Sequence, residues 1–172
     1  ITGFRVHLGG AQAYYNVIPD LAAFGKGMGN GMPISAIVGR ADIMSLMSEV
    51  FYSGTFGGEA LSLAASIATI NKMKTHNVID HLWAIGAKIA KVTQDAIDTN
   101  GLSTHVKING LDPWKIISFA DHKNAPKEAI KTRFLIEALR QGILVAGAHN
   151  VSYAHDENDV DHISIFFHHA FR

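Results

Sequence analysis

The sequence predicts an α/β fold in two parts, divided near residue 100. Three observations support that reading. Before residue 100, two short apolar runs of strand length, "IPDLAAF" and "ISAIV", flank a glycine-rich loop, as buried strands of an α/β unit would. Two long helical patterns follow them. After residue 100 the texture changes to two strand-like runs, a helix, a short strand and a closing helix, the make-up of a small α+β lobe. A length of 172 residues suits one ordinary domain or two small lobes. The domains are therefore expected over residues 1–100 and 101–172.

Taken in order, Ile1 to Val6 is β-like and reads as the tail of a strand, and Gly9 to Asn16 as loop. Val17 to Phe24 enters through a Pro-Asp turn and suits a buried strand. "ISAIV", Ile34 to Val38, suits a second. Asp42 can cap a short helix to about Ser48. Phe51 to Gly58, "FYSGTFGG", is loop. Glu59 to about Lys74 is helical, with Leu61, Ala64, Ala65, Ala68 and Met73 available for packing. Asn77 or Asp80 opens the next helix, which Asn100-Gly101 ends. Its apolar positions Leu82, Ile85, Ile89, Val92 and Ile97 recur at helical spacing. Thr104 to Ile108 and Lys115 to Ala120 read as strands joined by the turn-rich "NGLDP". Pro126 to Gly142 reads as a helix with Pro at its start and Gly at its end. Ile143 to Ala146 is a short strand. Asp156 to Arg172 is a final helix, opened by acids that suit the positive end of its dipole.

Composition removes several classes of function. Hydrophobic residues make up 48% of the chain and charged residues 17%, which fits a globular protein with a sizeable core. No apolar run approaches the roughly 20 residues of a membrane span. The net charge is zero, so there is no basic footprint for nucleic acid. No cysteine is present, which excludes disulfides, thiolate metal sites and cysteine nucleophiles. A cytoplasmic setting is the default expectation.

The chemistry is concentrated in Phe24 to Pro33, "FGKGMGNGMP", where one lysine, Lys26, stands among glycines 25, 27, 29 and 31. A phosphate loop would need Ser or Thr after the lysine and a helix directly behind it; Gly27 and Met28 follow here, and a strand comes next. A flexible loop with a solvated lysine is the plain reading of any glycine-rich stretch. The third reading is a lysine at a strand end, where glycines let backbone approach a bound group closely. A lysine amine so placed can form a Schiff base with a carbonyl cofactor, provided its neutral form is accessible. Composition alone does not choose among these.

The wider pattern does. "ITGFR", then "IPDLAAFGKGMGNGMPISAIVGR", then "GTFGGEALSLAASIATI" resembles the class III aminotransferases, fold type I enzymes that use pyridoxal 5′-phosphate (PLP). The forms "GKGMGNGMPISA" and "GTFGGEALSLAA" most resemble glutamate-1-semialdehyde aminomutase and related transaminases. Three motifs in order, over residues 1 to about 75, make the match specific, and "HNVSYAHDENDVD" is similar to the family's C-terminal segment. The resemblance implies the C-terminal part of the fold type I large domain, followed by a small α+β domain.

It also implies roles for residues. Lys26 matches the lysine that holds PLP covalently and moves the proton between the substrate α-carbon and the cofactor. Thr55 matches a residue that binds the PLP phosphate from the neighbouring subunit, with Gly54 and Phe56 beside it; without the motif Thr55 would read as a turn residue bonding its own backbone. A homodimer with an active site shared between subunits is implied, acting on a small-molecule amino donor and a carbonyl substrate. Arg5 in "TGFR" takes a structural role. The family's acid for the pyridine nitrogen, its ring-stacking aromatic and its upstream phosphate turn would all precede Ile1. The chain is therefore expected to be part of a longer enzyme and inactive alone. The glutamate that lines the aminomutase pocket is not evident in "GAHNVSYAH", where His149 and Asn150 stand. That favours ordinary transamination over the mutase reaction. Arg133 and Arg140 lie on a predicted helix and read as solvated.

The chain has ten histidines. His149, His155, His162, His168 and His169 crowd the last quarter, with Asp156, Glu157, Asp159 and Asp161. Their spacing fits no zinc pattern, and the expectation is no metal. They read as surface histidines, with His162, His169 and Phe166 near one face of the last helix. The rivals to an enzyme are a non-catalytic fragment acting as an interaction module and, more weakly, a His-rich metal protein.

Overall fold

A computed structural model describes residues 1–171. The chain forms two compact units, Ile1–Ile79 and Asp80–Arg172. The division falls before the long helix, so most of that helix packs with the second unit and not with the first as the expected limit at residue 100 had it.

In the first unit, the start of the chain is not a strand. Gly3–Arg5 form a 3-10 turn, and the amides of Arg5 and Val6 donate to the carbonyls of Thr2 and Gly3. A side chain on Gly3 would meet the Ala11 amide nitrogen at 2.3 Å. The backbone therefore curls tightly against helix α1 (Gly10–Tyr14), which occupies the stretch expected as loop. Strand β1 (Leu21–Phe24) pairs antiparallel with β2 (Ala36–Gly39), Leu21 opposite Gly39 and Phe24 opposite Ala36. The lysine loop is the hairpin connection between them. Phe4 meets Phe24 edge to face, with centroids 6.4 Å apart.

Helix α2 (Ala41–Met44) is extended by a 3-10 turn over Ser45–Ser48. Its N-cap is Arg40 rather than Asp42; the Asp42 carboxylate instead receives the Arg40 guanidinium at 2.6 Å. Helix α3 (Ala60–Thr75) is capped by Glu59, whose carboxylate accepts from the amides of Leu61 and Ser62 at 2.8 and 2.6 Å. These bonds, led by that from the Ser62 hydroxyl, hold the Glu59 carboxyl below its ordinary range. The helix packs opposite to expectation. Ser62 and Ser66 are buried, while Leu61, Leu63 and Ile67 are exposed. The inward face carries hydroxyls because it meets backbone, as described below.

The second unit holds the main core. Strands β3 (Val106–Leu111), β4 (Trp114–Phe119) and β5 (Ala148–Asn150) form one antiparallel sheet in the order β3-β4-β5. The "NGLDP" link is mostly strand: pairing runs to Leu111 opposite Trp114, leaving Asp112-Pro113 as the turn. Helices α4 (Val78–Thr99), α5 (Lys127–Arg140) and α6 (Glu157–Ala170) complete the chain. The core joins Ala96, Ile97, Val106, Ile117, Phe134, Ala138, Phe166, Phe167 and Phe171. On α4, Leu82, Ile85, Ile89 and Ile97 are buried, as their helical spacing predicts. Ile143 to Ala146 is not a strand. The third strand starts beyond Gly147, whose positive φ of 86° turns the chain onto β4.

Helix α6 begins with a capping box: the Asp156 carboxylate accepts from the Asn158 and Asp159 amides, and the Asp159 carboxylate accepts from the Asp156 amide. Phe166 is in the core while His162 and His169 are exposed, so the expected common face does not exist. Among the described residues, no helix is long and apolar enough to cross a membrane.

Candidate active site

The strand pair presents Lys26 at its connecting loop. Gly25 is extended, with φ −177°. Lys26 then adopts a left-handed conformation, φ 47°, and begins a 3-10 turn over Lys26–Met28. A non-glycine residue rarely takes this conformation. Glycines stand on both sides of it, yet the lysine carries the strain. Asn30 at φ 48° and Gly31 at φ 102° repeat the reversal. At Gly29 a side chain would collide with the Met32 carbonyl oxygen at 2.7 Å, so that glycine is needed to close the loop.

Three groups fix this loop, and each comes from a different motif. The Lys26 Nζ donates to the Thr2 hydroxyl at 3.0 Å. Ile1 touches the backbone beside Gly25. Behind the turn, the buried Ser66 hydroxyl on α3 donates to the Met28 carbonyl at 3.0 Å. That bond explains the hydroxyl face of α3: the turn offers it a carbonyl, and a buried carbonyl requires a donor. "ITGFR", "FGKGMG" and "GEALSLAAS" are therefore one local assembly. Thr2 and Ser66 lay within quoted motifs, but nothing in their spacing marked them as loop anchors.

The Lys26 side chain is exposed and, among the described residues, pairs with no carboxylate. A side chain at Gly27 would meet nothing within 4 Å, so space beside the amine is open. Thr55, Gly54 and Phe56 lie in the loop before α3 and are exposed. The Gly57 amide donates to the Gly54 carbonyl at 3.0 Å and closes the turn. No hydrogen bond joins Thr55 to the lysine loop among the described residues. Arg5 is half-buried, and burial pushes its guanidinium below its ordinary value.

In the second unit, Arg133 and Arg140 are exposed but not free: both pair with Glu137, at 2.6 and 2.8 Å. The histidines diverge from a surface set. His149 is 7% exposed, and neither ring nitrogen has a hydrogen-bond partner. Burial, then the nearby Lys115 charge, lowers its pKa to about 4. Among the described residues, no group of three or more His, Cys, Asp or Glu could hold a metal ion.

A family model described as Aminotransferase class-III matches residues 6–156. The chain belongs to the class III aminotransferases. A glutamate-1-semialdehyde 2,1-aminomutase from Ignicoccus hospitalis is 34% identical over 174 residues, covering 94% of this chain and 41% of the relative. A 3-aminobutyryl-CoA aminotransferase from Cloacimonas acidaminovorans is 30% identical, covering 92% of this chain and 39% of its own. The PLP internal aldimine form of the FumI protein from Sphingopyxis sp. MTA144 superposes with TM-score 0.88 at 29% identity, over 99% of this chain and 40% of that protein. This class III chain thus spans about two fifths of the length of the relatives it matches, and its mixed α/β architecture is that of the fold type I transaminases.

Proposed function

We propose that this chain is the lysine-bearing segment of a PLP-dependent class III transaminase, which moves an amino group between an amino donor and a carbonyl compound. The observation that carries the proposal is the state of Lys26. Its backbone is strained, its amine rests on a hydroxyl, and no carboxylate holds it as an ion pair. A carboxylate neighbour would favour the ammonium form, which cannot attack a carbonyl. Backbone strain of this kind collects at functional positions.

These features fit PLP. Lys26 Nζ would bind the cofactor aldehyde covalently and later carry the proton from the substrate α-carbon. When bound, PLP supplies an electron sink for the charge developing at that carbon. Thr2 would orient the Lys26 amine through its hydroxyl. Ser66 would hold the turn behind it. Thr55 would offer a hydroxyl and Gly54–Phe56 a backbone turn to the phosphate of the neighbouring subunit's cofactor, which requires a homodimer. Residues 1–100 would belong to the large domain and residues 101–172 to a small C-terminal domain, in a cytoplasmic enzyme.

A second reading is intramolecular amino transfer, as in a glutamate-1-semialdehyde 2,1-aminomutase. It is favoured by the names of several relatives at 30–35% identity. The lack of a glutamate in "GAHNVSYAH" weighs toward the first. The full-length protein tests both. An absorbance band near the visible edge, abolished by borohydride and absent in Lys26→Ala, is expected. Normal PLP retention and turnover in Lys26→Ala would sink the assignment. Product analysis with separate donor and acceptor substrates, against glutamate-1-semialdehyde alone, decides between the reactions.

A further inference from the structure

The second unit contains a cavity of about 200 Å³ whose lining includes Ile143, Val145, Ile163, Phe166 and Phe167 together with His149. Exposed Leu144 and Asn150 also border it, so it opens to solvent. His149 sits on β5, its ring against Phe167 with centroids 5.7 Å apart. Neither of its nitrogens is hydrogen-bonded. Such an omission is uncommon in a buried ring. The other histidine in the lining, His155, has its Nδ1 occupied by the Ser152 amide and hydroxyl, each at 2.9 Å.

We propose that this cavity is a binding site for a neutral, ring-sized molecule carrying one hydroxyl group. The size fits, since an apolar cavity of about 150 Å³ holds benzene. The walls fit an apolar body, and the imidazole supplies one donor and one acceptor for a single polar tip. Charge argues for a neutral guest. Lys115 lies opposite His149 in the β4–β5 register, which disfavours a cation. Its ammonium is already taken by Asp112 at 3.0 Å and the Gly110 carbonyl at 2.8 Å, so it offers little to an anion. Water alone suits the site poorly, because a buried water needs two to four polar partners.

The proposal does not depend on the role of Lys26, and its test needs no turnover. The full-length protein is titrated calorimetrically with phenol and, as a control, benzene. Imidazole nitrogen shifts of the ¹⁵N-labelled protein are followed in parallel. Saturable 1:1 phenol binding that moves the His149 resonances is expected. His149→Leu should weaken phenol about tenfold, the size of one net hydrogen bond, and leave benzene unweakened. Absence of saturable phenol binding, equal phenol affinity in His149→Leu, or His149 resonances that do not move would each overturn the proposal. If His149→Leu fails to fold, the nitrogen shifts of the unmodified protein decide alone.

Discussion

At the scale of single residues, Lys26 combines two properties that usually exclude each other: an exposed, chemically available side chain and a strained backbone. A left-handed non-glycine residue costs about 1 kcal/mol, and glycine would remove that cost. We therefore expect Lys26→Gly to unfold at a higher temperature than Lys26→Ala, with both inactive; calorimetry of the two full-length variants checks this, and the reverse order would show that the φ of 47° is unstrained. Thr2 can be tested by isosteric exchange. Thr2→Val should keep PLP but lower turnover about tenfold, one hydrogen bond's worth, and Thr2→Ser should restore most of it. His149 sets a pH dependence. Its pKa of about 4 in the folded chain lies below the ordinary 6.5 of an unfolded histidine. The unfolded chain therefore binds more protons between those values, and stability rises with pH across that window. The contribution, about 3 kcal/mol, is complete above pH 6.5 and lost as the pH falls toward 4. Thermal midpoints of the full-length protein should drop over that range, and His149→Phe should flatten the drop.

At the scale of elements, the long amphipathic pieces were legible and the short ones were not. Helix α4 shows its buried stripe in the spacing of Leu82, Ile85, Ile89 and Ile97, and α6 announces its start with Asp156 and Asp159. The Gly3–Arg5 turn, α1 and the delayed start of β5 depend on contacts distant in sequence, such as Gly3 against Ala11, which local patterns do not contain. Helix α3 misled for a physical reason: its Leu and Ile positions promise an inward face, whereas a carbonyl in the lysine turn draws Ser66 inward. Lys26 stood out among its glycines, but its anchors Thr2 and Ser66 emerged only from the assembled loop. Ser66→Ala should leave the Met28 carbonyl without its donor and cost about 1–3 kcal/mol. Ser66→Thr should retain the bond. The close approach of α4 to the β3–β4 turn gives a sharper case. A side chain at Gly86 would sit 2.2 Å from the Asp112 carbonyl oxygen, so Gly86→Ala should destabilise the second unit by about 1–3 kcal/mol, read from urea unfolding.

At the scale of the whole molecule, the distribution of apolar surface is the dominant fact. Ile18 is 98% exposed and Phe51 97%. Val50, Tyr52 and Phe56 are exposed in the same loop region, and Leu61, Leu63 and Ile67 along α3. Monomeric proteins rarely leave so many large apolar side chains in water. A net charge of zero offers no long-range repulsion to keep copies apart. Prepared as residues 1–172 only, the chain should therefore bind a hydrophobic dye strongly and self-associate as its concentration rises. The full-length enzyme should do neither to the same degree, because burying such side chains is worth about 25 cal/mol per Å². Sedimentation and dye fluorescence, measured on both proteins at matched concentrations, make the comparison. Replacing Phe51 and Ile67 with Lys should reduce association of the isolated chain, since charge is then placed on the sticky face. The same changes should lower the thermal stability of the full-length protein, where a covered face would have to bury those charges. A monomeric, dye-silent isolated chain would contradict the argument, as would a full-length protein indifferent to both substitutions.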